Sequence, residues 1–181
     1  MPSLGDTLFA FTEWLRGTQL TEFSIWLSET DFSLWLQTHF WVIPAVQSIH
    51  ILAIAALFGS VLMLDMRIFG IAGGSRSMAQ LSQRYVPWIW WAFLILLISG
   101  ALLAVAEPVR EFINPIYWIK MGLVPLAVLL NLWFQAAVRR KAANWDVVPS
   151  GHAAIRLGAF VLILLWILIM FCGRWIAYAP V

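Results

Sequence analysis

Residues 40–64 read FWVIPAVQSIHILAIAALFGSVLML, twenty-five positions without one Asp, Glu, Lys or Arg. Roughly 20 apolar residues in α-helix cross about 30 Å of hydrocarbon, so this stretch is long enough to span a bilayer. Only Gln47, Ser48, His50 and Ser60 interrupt it inside, and Pro44 comes early enough to bend the first turns without breaking the rest. Three comparable stretches follow, at about residues 85–106, 116–138 and 155–176, with Pro115 placed as a helix-start residue for the third.

The rest of the composition agrees. Of 181 residues, 62% are hydrophobic and 11% charged, with mean hydropathy +0.87, where a soluble domain has about 45–50% and about 25%. A soluble globular protein is excluded. Four spans and their connections fill residues 35–181 and leave no room for a second soluble catalytic domain. Residues 1–34 form a separate segment. There Leu4, Leu8, Phe11 and Leu15 recur at helical spacing, the pattern breaks at Gly17 and Thr18, and it resumes with Leu20, Phe23, Trp26 and Leu27. With Glu13, Arg16 and Glu22 interspersed, these short amphipathic helices are too polar to span; Trp14 and Trp26 suit the headgroup layer, and packing on a partner or on the bundle end is the competing reading. The expected fold is all-α: an integral membrane four-helix bundle with N-terminal interfacial amphipathic helices. Pairs of small residues at spacing four, Ala55 with Gly59, Gly100 with Ala104 and Ala154 with Gly158, are expected to be contacts within that bundle. No repeat relates the two halves, so a duplicated transporter fold is not supported.

Net charge is +2 and the pI about 9.0, but the basic residues sit in two loops rather than in a stripe, which argues against nucleic acid as a partner. Those loops set the expected orientation. One carries Arg67, Arg76 and Arg84, the other Arg139, Arg140, Lys141 and Arg156; both are expected on the cytoplasmic side. Both termini then lie outside, in the periplasm of a bacterial inner membrane. Trp35, Trp41, Trp118 and Trp175 would mark the outer interface, and Trp88, Trp90, Trp91 and Trp145 the inner one. The lone Cys172 excludes an intrachain disulfide, and the N-terminus, with Asp6 and Glu13 and no basic region, does not read as a cleavable signal peptide.

A few polar residues need an explanation. A centrally placed charge in a bilayer costs at least roughly 2.5–3.5 kcal/mol, so ionisable side chains in spans are expected to face inward with a partner. His50 lies near mid-depth of the first span, with Gln47 one turn earlier on the same face. It can ligate a haem iron or another metal, relay protons, or hydrogen-bond across helices. On the third span Lys120 and Asn131 fall about 20° apart around the helix and Gln135 about 60° from Lys120, a polar stripe turned inward. Lys120 is placed to snorkel to the outer interface or to serve as a counter-charge or axial ligand. Arg174 can pair with Glu107, or join Lys120 in a cationic rim holding carboxylates such as haem propionates. Asp65 and Arg67 read as an anchor pair, and His39 and His152 as solvated or capping residues near the interfaces.

Several chemistries have no residues to carry them. Only His50 is deep, where a two-haem four-helix cytochrome needs four inward histidines. Zinc proteolysis, covalently attached haem, serine hydrolysis and nucleotide hydrolysis lack the HExxH, CxxC, CxxCH, GxSxG and phosphate-loop patterns, and scattered methionines weaken a copper ladder.

The run Trp41, Pro44, Gln47, His50, Gly59, Asp65, Arg67, Gly70, then Ser99, Gly100, Glu107, Pro108, Asn114, Lys120, Gly173, Arg174 and Tyr178 resembles an uncharacterised bacterial family of four-helix membrane proteins known as a domain of unknown function. The resemblance covers about residues 35–181. More distantly, a first-span histidine followed by a glycine, with a lysine opening the third span, is similar to the plan shared by HemJ-type protoporphyrinogen oxidases and the membrane domain of CopD-type copper proteins. That resemblance implies haem b binding through His50 and Lys120. The leading expectation is a haem b (or related porphyrin) redox or electron-transfer component. His50 would be the axial ligand, Gln47 its supporting partner, Lys120 a sixth ligand or propionate contact, and Arg174 a propionate contact; His50 of a second protomer could complete the iron instead. The expected partners are the lipid bilayer and a homo-oligomer or larger membrane complex. The alternatives are a non-catalytic membrane subunit or scaffold that docks a partner, and a small proton-coupled transporter using His50 and Asp65.

Overall fold

The computed structural model describes residues 4–71, 76–141 and 153–179, and among them all regular structure is helical, with no strand. In chain order the helices are α1 (Leu4–Arg16), α2 (Gln19–Ser28), α3 (Asp31–Thr38), α4 (Val42–Ile68), α5 (Met78–Ala106), α6 (Pro108–Phe112), α7 (Pro115–Lys141) and α8 (Ala153–Trp175). The fold is all-α, and α4, α5, α7 and α8 are each long and apolar enough to cross a membrane. Trp145 and His152 lie outside the described residues. The chain divides into two compact units, one of residues Met1–His50, Leu97–Gly122 and Ile169–Val181, the other of Ile51–Leu96 and Leu123–Leu168.

In the first unit the short helices start and stop where local chemistry dictates. Gly17 ends α1, its N–H reaching the carbonyls of Glu13 and Trp14. Thr18 caps α2, accepting from the Leu20 N–H, and Thr30 caps α3 by accepting from the Ser33 N–H. Helices α3 and α6 do not follow from the apolar pattern. Beside the buried Leu15 and Leu36, the hydroxyls of Thr12, Ser24 and Ser33 are also buried, while Trp14, Phe23, Trp26, Phe32 and Trp35 are exposed. The inward hydroxyls are satisfied close by. Thr12 donates to the Leu8 carbonyl at 3.0 Å, Ser24 to Thr21 at 2.8 Å, and Ser33 crosses to the Val105 carbonyl of α5 at 2.7 Å. Small polar groups inside and large rings outside suit an apolar surrounding, in which rings cost nothing to expose. Phe23 meets Phe112 of α6 with ring centroids 5.9 Å apart, and Leu36, Val42 and Ala106 form a small buried core.

Asn114 joins the ends of two long helices in this unit. Fully buried, it accepts from the Ile116 N–H at 2.9 Å, capping α7, and donates to the Ile176 carbonyl beyond α8 at 3.1 Å. Pro115 follows as the first residue of α7, where its missing N–H costs nothing.

The second unit packs Leu57, Val61, Leu64, Ile89, Phe134 and Leu162 out of contact with the surroundings. Here α5 begins at Met78, well ahead of the apolar run, because Ser77 and Gln80 form a capping box: Ser77 N–H to Gln80 Oε1 at 3.1 Å, Gln80 N–H to Ser77 Oγ at 3.2 Å. Asn131 and Gln135 are buried as the polar stripe requires, and Gln135 Oε1 accepts the Trp90 indole N–H at 3.2 Å. Trp90 is thus tied inward, unlike its exposed neighbours Trp88 and Trp91. Of the small-residue pairs, Gly158 lies so close to Trp133 that a Cβ would stand 2.6 Å from the ring. Ala55 and Gly59 behave otherwise: Ala55 is exposed and nothing lies within 4 Å of a Cβ placed on Gly59, so this pair makes no internal contact among the described residues.

Helix α4 stops on a left-handed glycine. Gly70 has φ 76°, its N–H bonds to the Arg67 carbonyl at 3.1 Å, and the Ile71 N–H reaches back to Met66 at 2.9 Å, the two bonds of a Schellman cap. An alanine there strains Cβ against the carbonyl, so Gly70→Ala is expected to cost about 1 kcal/mol in equilibrium unfolding from mixed micelles. An unchanged unfolding free energy would mean the turn is free to reshape.

Candidate functional site

Four residues were expected from the sequence to form a cofactor site: His50, Gln47, Lys120 and Arg174. All belong to the first unit. His50, on α4, is half-buried and its Nδ1 lies 2.8 Å from Ser99 Oγ on α5. The ring's hydrogen bond among the described residues is made by Nδ1, and none is made by Nε2. The neighbouring position on α5 is Gly100, where an added Cβ would stand 3.5 Å from His50 Cε1. The ring therefore rests on a stretch of α5 with only a hydroxyl and a bare Cα to meet it.

Gln47 is exposed and is not joined to His50; the partner of the imidazole is Ser99, 49 residues away in sequence. Lys120, half-buried near the start of α7, is close enough to act electrostatically on His50, on Glu111 and on Cys172 of α8. Arg174 is exposed. Its Nη2 donates to Tyr178 Oη at 2.6 Å and its guanidinium sits 4.9 Å from the Tyr178 ring centroid. The alternative pair with Glu107 is not formed, since Glu107 is held by Arg110 one turn later. Thus the structure joins His50 to Ser99 and Gly100 of α5, leaves Lys120 linked to it only through electrostatics, and leaves Gln47 and Arg174 on the exposed surface.

The donor chemistry around His50 fits an axial ligand. A neutral imidazole tied back through one nitrogen and open at the other is the arrangement by which histidine holds a metal. Among the described residues no three His, Cys, Asp or Glu side chains converge as a metal site.

Glu111 lies just outside the spans, with its side chain 14% exposed and 3.9 Å from Arg110. Burial pushes its carboxyl above the usual glutamate range and Glu107 adds to this, while Lys120 and Arg110 oppose it. The folded chain therefore binds the Glu111 proton more tightly than the unfolded chain, and stability falls as pH rises from the ordinary glutamate range through the raised value. Glu111→Gln removes that slope. Its melting temperature relative to the wild type is expected to rise as pH increases above the ordinary glutamate range; parallel curves would refute the assignment.

In the second unit Asp65 is fully buried and neither carboxylate oxygen has a hydrogen-bond partner among the described residues. The expected anchor pair with Arg67 is not formed. Sequence reasoning placed Asp65 at a helix end with headgroup contacts; burial against the apolar core was not signalled by its position.

The sequence model of a family described as a family of unknown function, DUF6644, matches residues 23–179. No curated protein and no solved structure matches the chain.

Proposed function

Since the chain belongs to DUF6644, a family of unknown function, we propose from its own residues that it is a haem b binding component of a bacterial inner membrane that takes part in electron transfer. The observation that carries this reading is His50, a histidine within a membrane-length helix whose Nδ1 is engaged by Ser99 and whose Nε2 is left without a partner among the described residues. Haem iron would supply a one-electron couple. His50 would hold it on one side, and Lys120 or His50 of a second copy would complete it on the other. Lys120, alternatively, would meet a propionate, a role its electrostatic reach toward His50 supports. Exposed Arg174 is placed to contact a carboxylate only at the surface, beside Tyr178. The distant likeness to HemJ-type and CopD-type membrane domains, carried by His50 and Lys120 alone, favours the same ligand.

Loop charge supports the orientation. Arg67, Arg76 and Arg84 around the α4–α5 connection, and Arg139, Arg140 and Arg156 around the α7–α8 connection, favour a cytoplasmic position for both, with both termini periplasmic.

The test is expression in a haem-competent host, purification in mild detergent, and oxidised and reduced visible spectra with a pyridine haemochrome assay. A stoichiometric b-type signal is expected. A folded, colourless protein despite adequate haem supply overturns the proposal and favours a subunit or scaffold, for which the exposed rings of α1–α3 offer the docking face.

A further inference from the structure

We infer that Ser99 is a positioning residue that accepts a hydrogen bond from the protonated Nδ1 of His50, so that Nε2 carries the lone pair and is the ligating atom of the proposed site. The identity of the ligand rests on the haem reading; the tautomer does not.

A neutral imidazole has one N–H and one lone pair, and a hydroxyl can meet either, so the 2.8 Å distance alone does not orient the bond. Two features do. The first is what the serines of the long helix α4 do with their hydrogens: Ser48 donates to the Pro44 carbonyl at 2.8 Å and Ser60 to Ala56 at 2.7 Å, each one turn back, as Thr12 of α1 does to Leu8 at 3.0 Å, whereas Ser33, in the short α3, reaches across to Val105. A serine within α5 that follows this rule commits its hydrogen to its own helix and can only accept from His50. The second is the other ring nitrogen. Were Ser99 the donor, the proton would sit on Nε2, which has no acceptor among the described residues. A donor stranded in apolar surroundings is a worse defect than an idle lone pair. Both arguments put the proton on Nδ1.

Gly100 completes the arrangement. With no side chain at this position, the ring edge between the two nitrogens meets only the bare Cα of Gly100. A valine at 100 would reach past the 3.5 Å contact of a bare Cβ and crowd the approach to Nε2.

The test separates tautomer from ligand. Haem-free protein carrying 15N-histidine in detergent micelles, with the His50 signals identified by their absence in His50→Gln, reports which nitrogen is protonated. Nδ1–H is expected for the wild type and Ser99→Thr, and a shift toward Nε2–H for Ser99→Ala. Added haemin is then titrated by its visible spectrum: Ser99→Ala is expected to bind about 10-fold more weakly than the wild type, as loss of a ligand's outer partner typically does. Ser99→Thr, which keeps the hydroxyl, should restore it, and Gly100→Val should weaken haemin binding with Nδ1 still protonated. Nε2–H in the wild type, or the same tautomer in Ser99→Ala as in the wild type, overturns the inference. Failure of every variant and of the wild type to bind haemin overturns the haem reading and leaves the tautomer assignment to the 15N result.

Discussion

Asn114→Ala is expected to destabilise the protein by about 3 kcal/mol. Loss of an Asn cap is worth about 0.5–2 kcal/mol, and a buried polar group left without its partner about 1–3 kcal/mol. Alanine incurs both, because the Ile116 N–H and the Ile176 carbonyl lose the same side chain and Asn114 is 0% exposed, so no bulk water replaces it. A serine at the same position separates the two terms. Asn114→Ser keeps an acceptor short enough to cap α7 but cannot reach Ile176, and should recover about 1 kcal/mol. Equilibrium unfolding in mixed micelles measures both variants; an alanine variant within about 0.5 kcal/mol of the wild type would mean that the bridge contributes nothing net.

Asn114 also illustrates where sequence reading stops. Pro115 marks the start of α7 correctly because its signal is local, but the reach of Asn114 to residue 176 is a property of two chain segments meeting. The same division runs through the fold. The break at Gly17 and Thr18 is visible as a phase break, and the structure ends α1 at Arg16 and starts α2 at Gln19. The early start of α5 at Met78 escapes the hydropathy reading, although Ser77 and Gln80 have the capping-box spacing, because they lie outside the apolar run that marks the helix. Burial of Asn131 and Gln135 follows from helical phase. Phase fails for Gln47, which shares a side of α4 with His50, because the edge of the packed face falls between them. Ala55 and Gly59 fail for a related reason: small residues permit close approach, but nothing described lies within 4 Å of a Cβ placed on Gly59. At the candidate site, the deep histidine and the lysine are legible from hydropathy alone, since each is a polar interruption in a span. Ser99, which orients the histidine, is not, because a hydroxyl in a membrane helix usually satisfies itself on its own backbone and so gives no sign of a partner 49 residues away.

His50→Ala is expected to abolish the b-type spectrum while the protein remains folded. Removing a half-buried ring leaves one hydrogen bond to Ser99 unmade, worth about 1 kcal/mol, which is small beside the stability of a folded domain. If His50 holds the proposed haem, its loss would remove the bond to iron, and no other group of three or more His, Cys, Asp or Glu among the described residues is arranged to hold a metal. Pigment content per folded chain should therefore drop to the level of unspecific association, with the helical circular dichroism unchanged. Chemical rescue decides whether the loss concerns ligation or shape. His50→Gly opens the same space, and imidazole added during haem loading should enter it, pair with Ser99 and restore the spectrum, whereas a benzene-sized apolar compound should not. Lys120→Leu, which carries no donor atom, tests the second ligand of the proposed haem. If Lys120 is the sixth ligand, this variant should retain haem but convert the spectrum to one with an exchangeable position; if two copies of His50 share the iron, Lys120→Leu should leave the spectrum intact and His50→Ala should also lower the oligomeric state of the protein. Retention of a normal spectrum in His50→Ala would place the iron elsewhere and leave His50 and Ser99 as a hydrogen bond that sets the register of α4 against α5.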